Sequence, residues 1–338
     1  MSGSRRAVLV LPGRGAYTSG SLGSLPVDHA LVRRAEELRA GYDLSPLREL
    51  DAAARFDPNL HLRAAHSAPL IFLASLLDVE QAANDYELVA GVGNSLGWYA
   101  ALAVAGVLSF DDAFRLVQEI SLLQEEPSPE GGIGGQVIYP LRTADWEPDP
   151  ELARIVDEVL GAAGPGRVFE SVELGAYAVL AGDDAGVTRL LRALPPVTIG
   201  ERLYPLRLAL HGPYHTPLVA HVARAAVERL ADLAWRAPEL PLIDGTGRRW
   251  TRWSTDPAEL REYTLGSQLT TPYRFATSVR VALREHAPDL LVLTGPGNSL
   301  GGVCGQLVVA EGYRGIGSRA ELEAAQAGPE PVLLSMHR

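Results

Sequence analysis

Short apolar runs alternate with longer stretches of helical spacing along most of the chain. The runs predict strands at 7–11, 88–92, 240–244 and 290–293, and the stretches predict helices at 28–42, 66–77, 98–105, 109–124 and 216–233. Strands that alternate with helices in this order are typical of an α/β domain built on a parallel sheet. The final residues, 321–338, show no strong pattern beyond one short helix.

A segment rich in proline and glycine, residues 127–135, interrupts this alternation and predicts a hinge. Shorter strands at 136–139, 169–174, 176–181 and 202–210 follow it, with helices at 149–163 and 185–194. This texture indicates a compact α+β module inserted into the larger domain. The predicted organisation is a large domain at 1–130 and 203–320, a small subdomain at 131–202 and a C-terminal tail at 321–338.

The run around Ser95 carries the clearest chemical signal. An apolar strand enters Gly93-Asn-Ser-Leu-Gly97, and an alanine-rich helix starts at once. This is the setting of a nucleophile elbow, in which glycines on both sides of a serine permit a sharp turn that exposes the hydroxyl. The first N–H groups of the helix are then free to bind an oxyanion. The alternative is an ordinary strand-to-helix turn made of small residues.

A serine nucleophile needs a base, and the chain has eight histidines. His215 is the best placed, in a loop between a predicted strand and a predicted helix, and His211 is the alternative. A purely structural role is also open, in which His215 caps the helix that begins near Thr216.

Composition excludes several other classes of function. The net charge of −11 argues against nucleic acid or an anionic membrane as a partner. No uncharged apolar run is long enough for a membrane span and no signal peptide is evident, so a cytoplasmic protein is expected. All 30 basic residues are arginine, which excludes a Schiff-base or P-loop lysine. The single cysteine, Cys304, excludes an internal disulfide and a cysteine metal cage, and is expected to be a small packed residue.

Five motifs, in order, resemble the malonyl-CoA:acyl-carrier-protein transacylase family of fatty acid and polyketide synthesis. They are the segments 12–15, 93–113, 215–218, 268–275 and 295–300, which read PGRG, GNSLGWYAALAVAGVLSFDDA, HTPL, QLTTPYRF and GPGNSL. The resemblance implies a hydrolase-like α/β large domain with a ferredoxin-like small subdomain inserted into it, and an active site in the cleft between the two.

The resemblance also implies residue roles. Ser95 would be the nucleophile and His215 the base and then the acid of a ping-pong reaction on an acyl thioester, with a carrier-protein thiol as acceptor. The backbone N–H groups of Arg14 and Leu96 would form the oxyanion hole, and the backbone carbonyl of Gln268 would orient His215. It implies no bound cofactor and no metal, with CoA or a phosphopantetheine arm present as part of the substrate.

One departure from the family pattern concerns the acyl group. Malonyl-loading members carry an arginine that clamps the free carboxylate of malonate, and Ile120 occupies that position here. Burial of an unpaired carboxylate costs several kcal/mol, so the acyl group is predicted to lack one. The alternative is that Arg14 or Arg115 supplies the cation from a neighbouring position.

Further departures at Asn94, Trp98, Tyr177 and Tyr214 predict a rebuilt, more aromatic pocket. Such a chain resembles the discrete, trans-acting acyltransferases that move aminoacyl or dipeptidyl units between carrier proteins in macrolactam antibiotic assembly. An aminoacyl, dipeptidyl or apolar thioester is therefore the expected donor.

Carrier proteins are acidic, as this chain is, so docking requires a local basic patch. The densest cluster is Arg248, Arg249 and Arg252, interleaved with Trp250 and Trp253, and further candidates are Arg154 and Arg207. The alternative for each is a solvated surface arginine.

Other functions are considered beside carrier-protein acyl transfer. The same serine and histidine suit a hydrolase that clears acyl groups from stalled carrier proteins, or an enzyme that transfers the acyl group to the hydroxyl of a small molecule. A catalytically inactive carrier-docking protein is disfavoured by the intact Ser95 and His215. An ordinary α/β-hydrolase esterase shares the elbow but would lack the motifs at 268 and 295.

Overall fold

The computed structural model describes residues 4–128 and 131–336. Within these residues the strands are, in chain order, β1 (Arg6–Leu11), β2 (Glu87–Gly93), β3 (Gly135–Pro140), β4 (Val168–Glu173), β5 (Tyr177–Gly182), β6 (Val197–Ile199), β7 (Arg202–Tyr204), β8 (Leu206–Arg207), β9 (Leu242–Ile243), β10 (Arg249–Trp250), β11 (Leu290–Leu293) and β12 (Leu333–Ser335).

The α-helices of the same residues connect and cover these strands. They are α1 (Ala30–Arg39), α2 (Leu47–Asp51), α3 (Pro58–His61), α4 (Ala64–Asp85), α5 (Gly97–Val104), α6 (Phe110–Leu123), α7 (Pro150–Gly161), α8 (Asp184–Ala193), α9 (Ala220–Arg229), α10 (Pro257–Glu262), α11 (Gln268–Thr270), α12 (Phe275–His286), α13 (Gly301–Ala310) and α14 (Arg319–Ala327). A π-helical turn, Tyr263–Ser267, joins α10 to α11.

The large domain is a three-layer α/β structure. Its sheet has the order β10-β9-β2-β1-β11-β12, and every pairing is parallel except that of β10 with β9. Alternate residues of β1 face opposite sides, so Leu9 and Leu11 pack with α4, α5 and α6 while Val8 and Val10 pack with α12 and α13. The predicted α/β fold class is confirmed.

The small subdomain contains β3, α7, β4, β5, α8 and β8 in this order, with the separate β6–β7 hairpin between α8 and β8, and its four-stranded antiparallel sheet has the order β4-β5-β3-β8. This βαββαβ arrangement is the ferredoxin-like one. Its core lies between the sheet and the two helices, with Val137, Leu180 and Leu190 fully buried. The fourth strand, β8, lies beyond the predicted boundary at residue 202, so the subdomain extends further into the chain than predicted.

Some element bounds differ from the predictions for identifiable reasons. The strand predicted at 202–210 is two short strands, β7 and β8, because Pro205 lies between them and has no N–H to donate to a ladder. The helix predicted at 66–77 is α4, which begins before Pro69. The proline leaves the carbonyl of Ala65 without its helical donor, and the buried Arg39 donates to that oxygen at 2.8 Å.

The C-terminal tail also contributes to the large domain. Residues 333–335 form β12, which pairs in parallel with β11 at the edge of the main sheet. Cys304 is fully buried in α13, as expected of a small packed residue. None of the helices described here is long and apolar enough to cross a bilayer. Across residues 4–128 and 131–336 there is no group of three or more acidic, histidine or cysteine side chains arranged to hold a metal ion.

Candidate active site

Ser95 lies in the turn between β2 and α5, and its backbone is left-handed with φ of +53°. Only a small minority of non-glycine residues adopt this region, so the conformation must be held by its surroundings. Packing supplies that restraint. A Cβ atom at Gly93 would lie 2.2 Å from the carbonyl carbon of Gly97, and one at Gly97 would lie 2.1 Å from the carbonyl oxygen of Leu11. Both glycines are therefore required for the turn to close against β1.

Along the chain, Ser95 precedes the inserted subdomain and His215 follows it, and the fold brings the two side chains together. The Oγ atom of Ser95 lies 2.7 Å from Nε2 of His215, and Nδ1 of His215 lies 2.7 Å from the carbonyl oxygen of Gln268. A carbonyl oxygen accepts only, so Nδ1 carries the hydrogen and Nε2 presents its lone pair to the serine hydroxyl. This is the geometry that a general base needs.

The electrostatic setting keeps this imidazole neutral. Burial lowers the pKa of His215 to about 4, against the opposing effect of its hydrogen bond to the Gln268 carbonyl. The ring is 1% exposed and also packs against Tyr273, with centroids 5.2 Å apart. At neutral pH the side chain is therefore ready to accept a proton rather than already carrying one.

Gln268 has a second contact that the motif did not reveal. Its side-chain Nε2 donates to the carbonyl oxygen of Ser95 at 3.2 Å, and its Oε1 accepts from the hydroxyl of Tyr99 at 3.1 Å. A π-helical turn lies directly before Gln268. Such turns are frequent at functional sites.

Arg14 and Leu96, whose backbone N–H groups were predicted to form an oxyanion hole, lie in the two segments that meet at Ser95. Arg14 follows β1 in a loop that lies against the elbow, since a Cβ atom at Gly13 would be 2.8 Å from the carbonyl oxygen of Asn94. Leu96 is the N-cap residue of α5, where the first N–H groups have no partner within the helix. Among the described residues, no group accepts a hydrogen bond from the backbone N–H of Arg14 or of Leu96.

A cavity of about 30 Å³ adjoins the Ser95 hydroxyl. Ile120 and Tyr214 line it, as predicted from the sequence, together with Tyr99, Gln124 and Gln136, which the sequence analysis did not single out. Gln136 comes from β3, so the small subdomain supplies part of the wall.

Three residues predicted for this pocket do not line the cavity. Trp98 is fully buried on the other side of α5, where its indole N–H donates to Thr264 at 3.0 Å. Tyr177 packs in the small subdomain against Tyr204. Asn94 is half-buried and turns its side chain toward Gly13. A sequence motif does not determine which side of a helix, strand or turn faces the cavity, and these three side chains face elsewhere.

Arg115 and Arg14, the two alternative partners predicted for a malonate carboxylate, differ in whether they reach the cavity. Arg115 lies outside the cavity, where it pairs with Asp232 at 2.6 Å. Arg14 lines the cavity, and its guanidinium donates to the side-chain oxygen of Gln124 and to the carbonyl of Leu210. Burial lowers the pKa of Arg14 to about 10, so the group stays charged.

His211, the alternative base, lines the same cavity but does not contact the serine. Its Nδ1 lies 2.9 Å from the carbonyl oxygen of Ala209. Burial, reinforced by the nearby guanidinium of Arg14, lowers the pKa of His211 to about 3. Of the two histidines, His215 is the one that contacts the Ser95 hydroxyl.

The arginines predicted for carrier docking lie on several different elements, and most are already engaged. Arg248 pairs with Glu259 at 2.6 Å and Arg249 with Glu285 at 3.0 Å, near the outer edge of the large sheet. The other three are Arg252, stacked on the exposed Trp253, Arg154, paired with Glu151 and Glu158 on α7, and Arg207, on β8. Exposed pairs of this kind contribute little to stability and leave the arginines accessible.

No protein-family model matches the chain. Whole-length relatives do exist. The malonyl CoA-acyl carrier protein transacylase of Salmonella typhimurium is 28% identical over 323 residues, which is 94% of this chain and 97% of the relative. The polyketide synthase GfsB of Streptomyces halstedii is 29% identical over 265 residues, 75% of this chain but 4% of that much larger protein.

Solved structures show the same architecture. The malonyl-CoA:acyl carrier protein transacylase of Xanthomonas oryzae is 25% identical with a TM-score of 0.72, over 91% of this chain and 92% of that one. A type II polyketide synthase acyl-carrier protein in complex with its malonyl-transacylase gives 0.73 at 21% identity, over 99% and 96% of the two chains. Together with the whole-length relatives, these likenesses support the malonyl-CoA:acyl carrier protein transacylase family. The protein is an acyltransferase.

Proposed function

We propose that this acyltransferase moves an acyl group that lacks a free carboxylate from a thioester donor to the thiol of an acyl carrier protein, through an ester on Ser95. The observation that carries the chemistry is the array of Ser95 Oγ, His215 Nε2 and the Gln268 carbonyl, joined by two contacts of 2.7 Å. A serine hydroxyl with a neutral, oriented imidazole is what acyl transfer requires.

In the first half-reaction the Ser95 oxygen attacks the thioester carbonyl while its proton moves to Nε2 of His215. The carbonyl oxygen becomes negative and accepts from the backbone N–H groups of Arg14 and Leu96, each worth on the order of 3 kcal/mol in the transition state. The C–S bond then breaks, and the leaving sulfur takes the proton from His215. The acyl group is left as an ester on Ser95.

In the second half-reaction the thiol of a carrier-protein arm replaces the departed one. His215 takes the thiol proton as sulfur attacks the ester carbonyl, and the C–O bond to Ser95 breaks. The proton returns to the serine oxygen. Donor and acceptor thus use one site in turn, which is ping-pong kinetics. CoA or a phosphopantetheine arm takes part as substrate, with no resident cofactor.

The choice of acyl group rests on the wall of the cavity. Ile120 is 2% exposed at the position of the malonate clamp, and an aliphatic side chain offers a carboxylate no partner. Arg115 is committed at the surface, and two of the donors of Arg14 already serve neutral oxygens. An aminoacyl, dipeptidyl or apolar acyl group is the proposed donor.

A second candidate deserves a test because Arg14 keeps a charged guanidinium at the cavity. If the contacts with Gln124 and Leu210 exchange for a ligand, Arg14 would pair with a terminal carboxylate and the enzyme would load malonyl groups. The names of the whole-length relatives favour this alternative.

The experiment is intact-mass analysis of the protein after incubation with malonyl, acetyl, propionyl, aminoacyl and dipeptidyl thioesters. The proposal expects adducts on Ser95 from the uncharged and amino-bearing donors at least ten times faster than from malonyl-CoA, and no adduct on a Ser95→Ala variant. Malonylation as fast as any other loading would overturn the proposed specificity. Release of free acid at the same rate with and without a carrier protein would show a hydrolase instead.

A further inference from the structure

A second cavity lies directly beyond the catalytic one. It has a volume of about 230 Å³, and Gln124, Gly212 and Tyr214 line both. These three residues therefore form a common wall. The second cavity, called the distal cavity below, continues from that wall between the end of α6, the first turns of α9 and the small subdomain.

The sizes of the two cavities differ in a way that bears on the substrate. One water needs about 10–15 Å³ on this scale, so the catalytic cavity of about 30 Å³ holds two or three waters. The distal cavity of about 230 Å³ holds more than a dozen. An aminoacyl or dipeptidyl group joined to Ser95 exceeds the first space, and the distal cavity is the adjoining space large enough for the remainder.

The common wall carries an unused polar group. The side chain of Tyr214 is 7% exposed, and its hydroxyl has no hydrogen-bond partner of good geometry in the part of the chain that the structure describes, although the side chain of Gln124 lies close enough to affect its pKa. Burial raises the pKa of this phenol, so it is a neutral donor. A buried hydroxyl without a partner is unfavourable, and an amide carbonyl on a bound acyl chain would satisfy it.

The distal cavity has both apolar and polar walls. Leu218 and Ala220 lie on one side. Its two carboxylates are already engaged, Glu126 with Arg229 at 2.7 Å and Asp183 with the backbone N–H of Gly186 at the start of α8 and with Arg167. Neither carboxylate is free to pair with an ammonium group, and the side chains of Arg167 and Arg224 also line the cavity. The lining therefore disfavours a positively charged chain end and suits a chain with neutral hydrogen-bonding groups.

We propose that the distal cavity binds the outer part of the acyl group, past Tyr214, and that the enzyme selects acyl groups of dipeptidyl size that carry an amide carbonyl within reach of the Tyr214 hydroxyl. This inference rests on the proposed function, since it extends the binding site of the Ser95 ester. The distal cavity is then a subsite for the acyl group, and the Tyr214 hydroxyl donates a hydrogen bond to the amide carbonyl of that group.

The test compares two thioester donors that differ in the lengths of the thiol arm and of the acyl group. Acetyl-CoA has a full pantetheine arm and a small acyl group, whereas a dipeptidyl thioester of N-acetylcysteamine has a short arm and a long acyl group. Ala220→Trp fills the distal cavity from the start of α9, and Leu218→Trp fills it from the preceding turn. Val227→Trp, on the exposed face of the same helix, is the matched control.

Rates of Ser95 acylation by mass spectrometry are the readout. We expect both cavity variants to lose at least tenfold with the dipeptidyl donor, little with acetyl-CoA, and the control to match the parent. Loss with acetyl-CoA but not with the dipeptidyl donor would assign the cavity to the pantetheine arm and overturn the inference. If every variant is acylated at the rate of the parent protein with both donors, the inference is also overturned. The adducts on Ser95 would in that case still support the proposed function.

Tyr214→Phe tests the hydroxyl separately. It should slow the dipeptidyl donor about fivefold relative to an alkanoyl donor of the same length, since only the former presents an amide. An equal effect on the two donors would assign Tyr214 a packing role and remove the amide from the proposal.

Discussion

The side-chain amide of Gln268 donates to the carbonyl oxygen of Ser95 at 3.2 Å, while the backbone carbonyl of the same glutamine lies 2.7 Å from Nδ1 of His215. One residue therefore contacts both Ser95 and His215. The first contact restrains a serine whose backbone is left-handed, and the second sets the tautomer of the imidazole. Because the two contacts use different atoms of Gln268, mutation separates them.

Gln268→Leu should lower kcat for acylation about tenfold and leave KM nearly unchanged. The backbone carbonyl that orients His215 remains, but the Ser95 carbonyl loses its partner, at a cost of about 1–2 kcal/mol. Steady-state kinetics with the best donor of the panel provides the measurement. Tyr99→Phe, which removes only the donor to Oε1 of Gln268, is the milder control. A raised KM with unchanged kcat would instead indicate that the amide contacts the substrate.

The pH dependence of acylation should reflect the lowered pKa of His215. With a value of about 4, the imidazole is neutral from pH 5.5 to 8, so single-turnover acylation should be nearly flat across that range and fall only as pH approaches 4. Rapid-quench mass spectrometry on the free enzyme measures the profile. A fall centred near pH 6.5 would show that the histidine keeps its ordinary pKa.

The free energy of unfolding should also depend on the protonation of His215. His215 has a folded pKa of about 4 and an ordinary unfolded pKa near 6.5, so protons bind the unfolded chain more tightly. The contribution of His215 to the free energy of unfolding is therefore complete above pH 6.5. It is lost as pH falls from 6.5 toward 4, by on the order of 3 kcal/mol in total. Urea unfolding at several pH values should therefore show a smaller loss below pH 6.5 in His215→Gln than in the parent protein. Parallel curves would contradict this.

Gly97→Ala should destabilise the protein by about 3 kcal/mol or more and abolish loading of Ser95. Its Cβ atom would lie 2.1 Å from the carbonyl oxygen of Leu11, which is backbone and has no room to move. Gly41→Ala is the matched control, because a Cβ atom there meets nothing within 4 Å. Thermal unfolding and intact mass measure the two effects, and a Gly97→Ala protein with parental stability would mean that the elbow relaxes.

Ile120→Arg should increase malonyl loading at least tenfold relative to acetyl loading. The new guanidinium offers the carboxylate the partner that the isoleucine cannot. Arg14 lies in the same cavity, so its charge opposes the new arginine, and the double variant with Arg14→Gln should gain more. If Arg14→Gln alone eliminates malonyl loading by the parent protein, then Arg14 is already the carboxylate clamp.

The contacts among Ser95, His215 and Gln268 were more predictable from the sequence than the residues that line the cavity. The contact between Ser95 and His215 agrees with the elbow that the glycines around Ser95 indicate, and the contact between His215 and the carbonyl of Gln268 agrees with the family resemblance. The catalytic roles of these residues stay predictions. Trp98 and Tyr177 were misplaced because a motif does not determine which side of a helix or strand meets the cavity.

Contacts between distant segments account for most of what the sequence did not reveal. The side chain of Gln268 reaches Ser95 across 173 positions, and Gln136 enters the cavity wall from the other subdomain. The strand β12 was missed because its three residues form an edge strand whose partner, β11, lies far along the chain. Such pairings follow from the tertiary structure and leave no local period.

The strand β8 belongs to the small subdomain and ends at Arg207, eight positions before His215. From the same sheet, Ser171 accepts from Gln136 and donates to the carbonyl of Tyr214 at 2.8 Å. The segment that carries His215 is therefore tied to both domains, because Ser171 of the inserted sheet holds the carbonyl of Tyr214 and the carbonyl of Gln268 holds the His215 ring. A rotation of the small sheet against the large one would act directly on the residue next to His215, so the 2.7 Å contact with Ser95 depends on how the two domains are aligned.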